Sequence, residues 1–308
     1  MKRLAVTGAS GLIGNRLCTS LSGAGHEVLR LVRRPAATPD EIPWNPARGE
    51  ILSRELNGLD AVIHLGGENL AAARWTPGQK ESIYHSRVDS TALLCDALAG
   101  LKEKPQVLLT ASAIGYYGDR GEEILTEESP SGNDFLARVC RDWEEATLPA
   151  RQAGIRVVRL RFGVVLSSEG GLLGKLLPFF RWGLGGRLGD GRQVVSWIGR
   201  EDLVRAIVFL ASQPLVRGPV NLTAPGAVTN REFTATLARV VRRPALFPLP
   251  ARLIRWVWGE RGEALMLKSS RVKPEILEKS GFVFTHPDLV SALEAEIGPG
   301  RSAPRPPS

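Results

Sequence analysis

The sequence is poor in cysteine and histidine. Its three cysteines, Cys18, Cys95 and Cys140, are far apart and form no CxxC pair. This pattern argues against a disulfide framework and a structural zinc site, and it is typical of the reducing cytoplasm. The four histidines show no spacing suited to a metal, so the sequence predicts no metal ion. His64 lies inside an apolar run and is expected to be a hydrogen-bonded core residue.

Long apolar runs and blocks of like charge are also absent. No run approaches the ~20 apolar residues needed to span a bilayer. We also expect no signal peptide, because the sequence lacks the hydrophobic stretch that a signal peptide contains. Lys and Arg number 40 against 32 Asp and Glu, but they occur singly or in pairs, without an RNA-binding or zinc-finger pattern. The sequence therefore predicts neither a membrane nor a nucleic-acid partner.

Apolar runs alternate with helical periodicity through the first two thirds of the chain. Helical patterns cover 12–22, 79–98, 134–152 and 201–211, and strand-like runs cover 4–6, 26–32, 60–65, 106–112, 154–161 and 219–224. This alternation predicts an α/β fold, a Rossmann-like doubly wound parallel sheet, with a smaller, mainly helical C-terminal lobe. We assign residues 1–165 and 199–223 to an NADP-binding Rossmann domain, 166–198 and 224–297 to the lobe, and the Pro-, Gly- and Ser-rich residues 298–308 to a disordered tail.

A glycine-rich turn separates the first strand from the first helix. Gly8, Gly11 and Gly14 follow the spacing GxxGxxG. The first glycine permits the tight turn, the second lets the backbone approach a pyrophosphate, and the third lets the helix pack close to the strand. The helix N-terminus adds free N–H groups and the positive end of the helix dipole. A purely structural turn is the alternative. The pattern predicts dinucleotide binding by Thr7, Gly8, Ser10, Gly11, Leu12, Ile13 and Gly14.

The end of the second strand bears on the choice between NAD and NADP. NAD enzymes usually hold the ribose 2′-hydroxyl with an acid about 20 residues beyond the glycine turn, but no acid occurs between Val28 and Pro39. Arg33 and Arg34 stand there instead, and guanidinium groups suit a 2′-phosphate. The alternative is that both arginines only solvate the strand end. The pattern favours NADP (NADPH) as the cofactor.

Several longer motifs carry a family resemblance. They are TGASGLIG (7–14), GGENLAAARWT (66–76), the Ser86-Arg87 pair, SAIGYYG (112–118), RDWE (141–144), RFGVVLSSEGG (161–171), LGGRLGDGRQ (184–193) and SWIGREDL (196–203). In this combination the chain resembles the extended short-chain dehydrogenase/reductase superfamily. Within it, the chain is similar to the atypical YfcH-type epimerase family proteins, a group that includes the human short-chain dehydrogenase/reductase family 39U member 1. The resemblance covers about residues 1–297.

The resemblance implies a path for the cofactor along the edge of the sheet. Gly66 and Gly67, after the third strand, would lie against the adenine side, and Asn69 would contact the ribose region. The loop that passes the nicotinamide would begin at Arg161. The further residues expected in contact with the cofactor are Leu65, Glu68, Arg87, Gly163 and Val164.

The resemblance also brings out a departure from the family pattern. Related reductases carry Tyr-x-x-x-Lys on the helix after the fourth strand, where the tyrosine is the general acid or base and the lysine lowers its pKa. Here Leu136 and Cys140 occupy those two positions. Neither side chain can perform the proton transfer.

Ser112, Tyr116 and Tyr117 are the remaining candidates for catalysis. Ser112 matches the family's catalytic Ser/Thr position. A tyrosine needs a nearby cation to act as a base near neutral pH, and Arg87 is a candidate for that cation. The alternative is that both tyrosines pack the loop and contact the substrate.

Two functions of different classes are consistent with these residues. The first is an NADP-dependent oxidoreductase or sugar-type epimerase. Its substrate would be a small molecule of carbonyl or sugar-like character, and Leu172–Phe180 and Trp182 would cover that substrate. The second is a non-catalytic NADP(H)-binding sensor or interaction module, which the lost Tyr/Lys pair supports. The sequence favours the enzyme, because polar residues of the cleft are retained. It leaves the substrate open, and also whether the protein forms a homodimer.

Overall fold

Eight strands form the central sheet of the computed structural model, which describes residues 2–298. The strands of the chain are β1 (Arg3–Thr7), β2 (Glu27–Val32), β3 (Glu41–Asn45), β4 (Glu50–Ile51), β5 (Ala61–His64), β6 (Val107–Ala113), β7 (Ile124–Leu125), β8 (Arg156–Phe162), β9 (Val164–Leu166), β10 (Val194–Val195), β11 (Trp197–Gly199), β12 (Gly218–Leu222), β13 (Val228–Thr229) and β14 (Arg271–Val272). The central order is β12-β8-β6-β5-β1-β2-β3-β4, and neighbours are parallel except for β3 and β4. The expected parallel sheet is therefore confirmed.

Helices cover both faces of this sheet. They are α1 (Leu12–Gly23), α2 (Pro77–His85), α3 (Val88–Ala99), α4 (Phe135–Glu145), α5 (Leu148–Gln152), α6 (Gly171–Arg181), α7 (Arg200–Ala211), α8 (Asn230–Val241), α9 (Ala251–Gly262), α10 (Glu275–Lys279) and α11 (Leu289–Ile297). On one face, Leu17 of α1 and Ile207 of α7 are fully buried against the strands. On the other face, Leu94 of α3 and Ala150 of α5 are fully buried. This arrangement confirms the doubly wound, Rossmann-like fold.

The second half of the chain adds a smaller helical lobe with its own core. Leu177 of α6, Phe233 of α8 and Leu293 of α11 are buried in one cluster. The boundaries assigned to the two domains stay a prediction, and residues 299–308 of the expected tail lie outside the described part of the chain. Within residues 2–298, no helix has the length and apolarity that crossing a membrane requires.

The segment predicted as one helix over 79–98 is two helices. The chain breaks at Ser86 and Arg87, whose amides bond back to the carbonyls of Ser82 and Tyr84. At the break, Ser86 Oγ accepts a hydrogen bond from the amide of Glu68 at 3.0 Å. Apolar periodicity continues through this point, so the pattern gives no sign of the break. The break coincides with the hydrogen bond between Ser86 and Glu68, a contact between residues distant in the sequence.

Candidate dinucleotide-binding site

The turn between β1 and α1 requires glycine at two positions. Gly8 has φ +67°, and a Cβ there would lie 2.9 Å from the carbonyl carbon and oxygen of Leu65. A Cβ on Gly14 would lie 2.1 Å from the carbonyl oxygen of Gly8. Both distances are too short for any side chain, so the backbone of the turn packs directly on the end of β5 and on the start of α1.

Helix α1 begins without a side-chain cap. Among the helices of residues 2–298, only α2, α4, α8 and α11 are capped by side chains, those of Thr76, Asp134, Thr229 and Asp288. Ser10 and Gly11 are exposed. The first-turn amides of α1, which no side chain caps, therefore border open space, the arrangement that binds a phosphate at a helix N-terminus.

Thr7 joins the turn to the end of β5. Its Oγ1 accepts hydrogen bonds from the amides of Leu65 and Gly66 at 3.1 and 3.2 Å, and it lies 2.7 Å from His64 Nδ1. Since two amides already donate to Oγ1, the hydroxyl hydrogen is available to Nδ1, and we assign the neutral tautomer with its proton on Nε2. His64 is fully buried, as predicted, and burial lowers its pKa from 6.5 to about 4. A neutral imidazole fixes the position of the segment that the cofactor is expected to follow.

The residues after β5 are held by the break between α2 and α3. Arg87 donates from Nη2 to the carbonyl of Glu68 at 2.8 Å and from Nη1 to that of Ile83 at 3.1 Å. A Cβ on Gly67 would lie 3.3 Å from Arg87 Cζ. Asn69 Oδ1 accepts a hydrogen bond from the amide of Ala71 at 2.9 Å. Gly67 and Glu68 are therefore held against Arg87, while the Asn69 side chain turns back on its own loop.

Arg33 and Arg34 have different surroundings. Arg34 makes two hydrogen bonds with the carboxylate of Glu41, at 2.7 and 2.8 Å. Arg33 is exposed and has no hydrogen-bond or ion-pair partner within residues 2–298. Glu41 is the first residue of β3, a strand that the sequence pattern does not predict. Glu41 lies two residues beyond residues 28–39, the stretch in which no acid occurs. Arg33 is thus the arginine available to an external anion.

A buried polar network lies behind the carboxyl ends of β6 and β8. Ser112 Oγ donates to Glu144 Oε1 at 2.8 Å, and Arg161 donates from Nε and Nη2 to both Glu144 oxygens at 2.7 and 2.9 Å. Arg161 Nη1 also donates to the hydroxyl of Tyr117 at 2.9 Å, and this hydroxyl donates to Asn221 Oδ1 at 2.7 Å. All five side chains are buried. The network joins α4, the loop after β6, β8 and β12.

The two candidate tyrosines differ in burial, and both lie beside a cation of this network. Tyr117 is fully buried, and burial raises its pKa to about 12. Tyr116 is half-buried, with its ring centre 3.5 Å from Arg161 Cζ. The cation beside both tyrosines is therefore Arg161. The suggestion that Arg87 serves them was wrong, because its guanidinium group faces Glu68 and lies over the ring of Trp143.

The positions that carry tyrosine and lysine in related reductases form an apolar wall here. A Cβ on Gly115 would lie 3.5 Å from Leu136 Cβ and 3.8 Å from Cys140 Sγ, so both side chains pack on the loop after Ser112. Burial raises the pKa of Cys140 to about 12, which keeps it a thiol near neutral pH. Neither position supplies a proton donor of the usual kind.

The loop after β8 packs closely on its neighbours. A Cβ on Gly163 would lie 2.8 Å from Thr223 Cγ2, and the amide of Val164 donates to the carbonyl of Ser196 at 2.9 Å. Asn221, which completes the network, carries no signal in the sequence that marks it as a site residue. Glu144 ends the RDWE motif, but it is not among the site residues predicted from the sequence. Within residues 2–298, no group of three or more histidine, cysteine, aspartate or glutamate side chains is arranged to hold a metal.

The expected cover over the substrate is placed differently. Leu173, Leu177 and Phe180 of α6 are buried in the core of the lobe, and Trp182 exposes 79% of its surface. The lobe core takes these apolar side chains because α8 packs against α6, and α11 packs in turn against α8. The expectation that this segment turns its apolar face to a substrate was therefore wrong for these residues.

Comparison with known proteins agrees with this geometry. Residues 4–222 match the model of the NAD dependent epimerase/dehydratase family. The chain belongs to this family. Residues 249–296 match a second model, described as a domain of unknown function. An epimerase family protein of Mycobacterium bovis is 46% identical over 290 residues, which cover 94% of this chain and 96% of that protein.

Two solved structures of the family are similar to this chain. The crystal structure of human epimerase family protein SDR39U1 (isoform 2) with NADPH has a TM-score of 0.89 at 31% identity, over 96% of this chain and 98% of that one. A nucleoside-diphosphate sugar epimerase of Corynebacterium glutamicum has a TM-score of 0.81 at 38% identity, over 96% of this chain and 58% of that one. The resemblance to the epimerase family read from the sequence motifs is confirmed.

Proposed function

We propose that this protein binds NADP(H) along the carboxyl edge of the sheet. The observation that carries the proposal is the uncapped start of α1, with Ser10 and Gly11 exposed and Arg33 without a partner in the described chain. The amides suit a pyrophosphate and the guanidinium suits a 2′-phosphate. The human relative crystallised with NADPH supports the same choice of cofactor.

We further propose that the protein is an oxidoreductase, or a sugar-type epimerase, with a small carbonyl or sugar-like substrate. NADPH supplies a hydride when bound, and the chain supplies position and polarity. Ser112, Glu144 and Arg161 tie the ends of β6 and β8 to α4, so the floor beneath the expected nicotinamide position is rigid. Proton transfer would not use a Tyr/Lys pair, since Leu136 and Cys140 stand in those places.

A second candidate is a non-catalytic NADP(H)-binding module. One observation favours it: Ser112 donates its hydrogen to Glu144, and the Tyr117 hydroxyl is buried between Arg161 and Asn221. Two of the three candidate proton donors are therefore committed inside the protein. Tyr116 is the one that keeps partial exposure.

Calorimetry and absorbance measurements on the purified protein separate these proposals. Titration with NADPH, NADP⁺ and NADH measures binding. Loss of reduced nicotinamide with a panel of aldehydes and ketones measures net reduction, and chromatography of nucleotide sugars incubated with the protein and NADP⁺ detects epimerisation, which leaves the cofactor unchanged overall. Turnover that Tyr116→Phe removes while NADPH affinity is kept supports the oxidoreductase. Binding without turnover across the panel supports the module. Absence of heat and of a thermal shift with every dinucleotide contradicts both.

A further inference from the structure

Exposed large apolar side chains are concentrated on one part of the lobe. Thirteen side chains of this kind occur in residues 2–298, and eight of them fall within 179–184 and 246–257. Trp182 and Trp256 each expose 79% of their surface. Such concentration on a protein surface marks a binding area for another body. The eight are Phe179, Trp182, Leu184, Leu246, Phe247, Leu253, Trp256 and Val257.

Backbone contacts join the two segments into one surface. Leu184 forms a bridge with Ala245, and the amide of Phe247 donates to the carbonyl of Gly185 at 3.1 Å. The amide of Leu249 donates to the carbonyl of Arg187 at 2.8 Å, immediately before α9 begins. The segment after α6 is therefore bonded to the segment before α9, which places the end of α6 and the start of α9 on either side of these contacts. We call residues 179–187 and 239–257 the aromatic-basic surface.

The charge of this region has one sign. Residues 179–187 and 239–257 contain seven cations and no acid, although the chain carries 32 acids in 308 residues. Asp190 and Glu260 each lie three residues beyond these segments. In the part of the chain that the structure describes, only Arg255 among the seven has a carboxylate partner, Glu263 at 3.2 Å. The cations are Arg181, Arg187, Arg239, Arg242, Arg243, Arg252 and Arg255. The apolar side chains are therefore surrounded by positive charge.

We propose that the aromatic-basic surface docks the protein on an anionic lipid bilayer. Guanidinium groups attract anionic headgroups, and Trp, Phe and Leu side chains bury themselves at the headgroup–acyl boundary. A second copy of this chain would bring like charges together. A bilayer accepts projecting rings such as Trp182 and Trp256 without a shaped pocket, whereas an acidic protein would need one. This docking is peripheral and uses none of the residues proposed to bind NADP(H). It departs from the prediction of no membrane partner, which rested on the lack of a spanning run.

Vesicle co-sedimentation of the full chain tests the proposal. We expect binding to vesicles of phosphatidylcholine with phosphatidylglycerol, and little binding to phosphatidylcholine alone. Raising the salt from about 0.05 M to about 0.5 M shortens the Debye length and should weaken binding severalfold. Equal binding to both vesicle types, or none to the anionic ones at low salt, overturns the proposal.

A matched pair of variants tests the residues. Trp182→Ser with Trp256→Ser should reduce partition to anionic vesicles by about tenfold or more. Leu215→Ser with Val283→Ser changes two other exposed apolar residues, at 86% and 74% exposure, and should leave it unchanged. Equal loss in both pairs, or no loss in the first, contradicts the assignment. Light scattering that finds a dimer dissociated by the tryptophan pair, or a pull-down that instead finds an acidic protein bound at these residues, also overturns it.

Discussion

Ser112 and Glu144 are joined by a hydrogen bond of 2.8 Å in which the serine is the donor. The serine at the position that related enzymes use for catalysis therefore points its hydrogen at a buried carboxylate. The same carboxylate receives two hydrogen bonds from Arg161. Glu144 is thus the acceptor that Ser112 and Arg161 share.

Replacing Glu144 by Gln should destabilise the protein strongly. The change leaves the buried Arg161 without its carboxylate, and breaking such a pair from one side costs about 3–5 kcal/mol. Ser112→Ala removes one donor and should cost about 1 kcal/mol in the free energy of unfolding. Urea denaturation of both variants measures the difference. A loss for Glu144→Gln that is no larger than that for Ser112→Ala would show that the network contributes little.

Replacing Gly14 by Ala should damage both folding and cofactor binding. A methyl group there would lie 2.1 Å from the carbonyl oxygen of Gly8, and relieving that clash should cost about 3 kcal/mol or more. Gly23, at the end of the same helix, has no heavy atom within 4 Å of its ideal Cβ. Gly23→Ala should raise the free energy of unfolding by up to about 1 kcal/mol. Thermal melts compare the two, and a tolerated Gly14→Ala would refute the turn geometry.

His64 should make the protein sensitive to mild acid. Its pKa is lowered from 6.5 to about 4 by burial, so between these pH values the unfolded chain binds the proton more tightly than the folded one. The free energy of unfolding should fall as the pH falls from 6.5 to 4, by up to about 3 kcal/mol from this group, and the contribution is complete above 6.5. His64→Gln should lose this part of the slope, while His85→Gln, an exposed change, should keep it. Equal slopes in urea denaturation would contradict the assignment.

Arg33 and Arg34 should separate in their effect on cofactor choice. Arg33→Ala should lower NADPH affinity by about 10- to 100-fold, as expected for a lost charge-assisted contact, and leave NADH affinity nearly unchanged. Arg34→Ala breaks the pair with Glu41 and should change the ratio of the two affinities much less. Isothermal titration with both dinucleotides gives the ratios. A larger effect from Arg34 would reverse the assignment.

The sequence predicted the parts of the fold that are encoded locally. Short apolar strands followed by helices indicate a parallel sheet, and the glycine spacing indicates the turn, because both depend on residues close together in the chain. The resemblance to the epimerase family added the loop after β8. His64 was placed in the core because an apolar run surrounds it.

The remaining features depend on contacts between distant residues. Ser112 meets Glu144 across 32 positions, and Tyr117 meets Asn221 across 104. No periodicity encodes such pairs. Glu41 was missed as the partner of Arg34 because β3 is short and contains Pro43, which disguises the strand. The break at Ser86 was missed because apolar spacing runs through it unchanged.

The return of the chain to the sheet has a practical consequence. β12 pairs with β8 over five residues, Gly218–Leu222 with Val158–Phe162, after the chain has built much of the lobe. A fragment ending near residue 165 would leave β8 as a bare edge and uncover the sheet face beneath α7. Bare edges recruit other chains. Expression of residues 1–165 by themselves is therefore expected to yield aggregates, and fusion partners should be attached outside this returning segment.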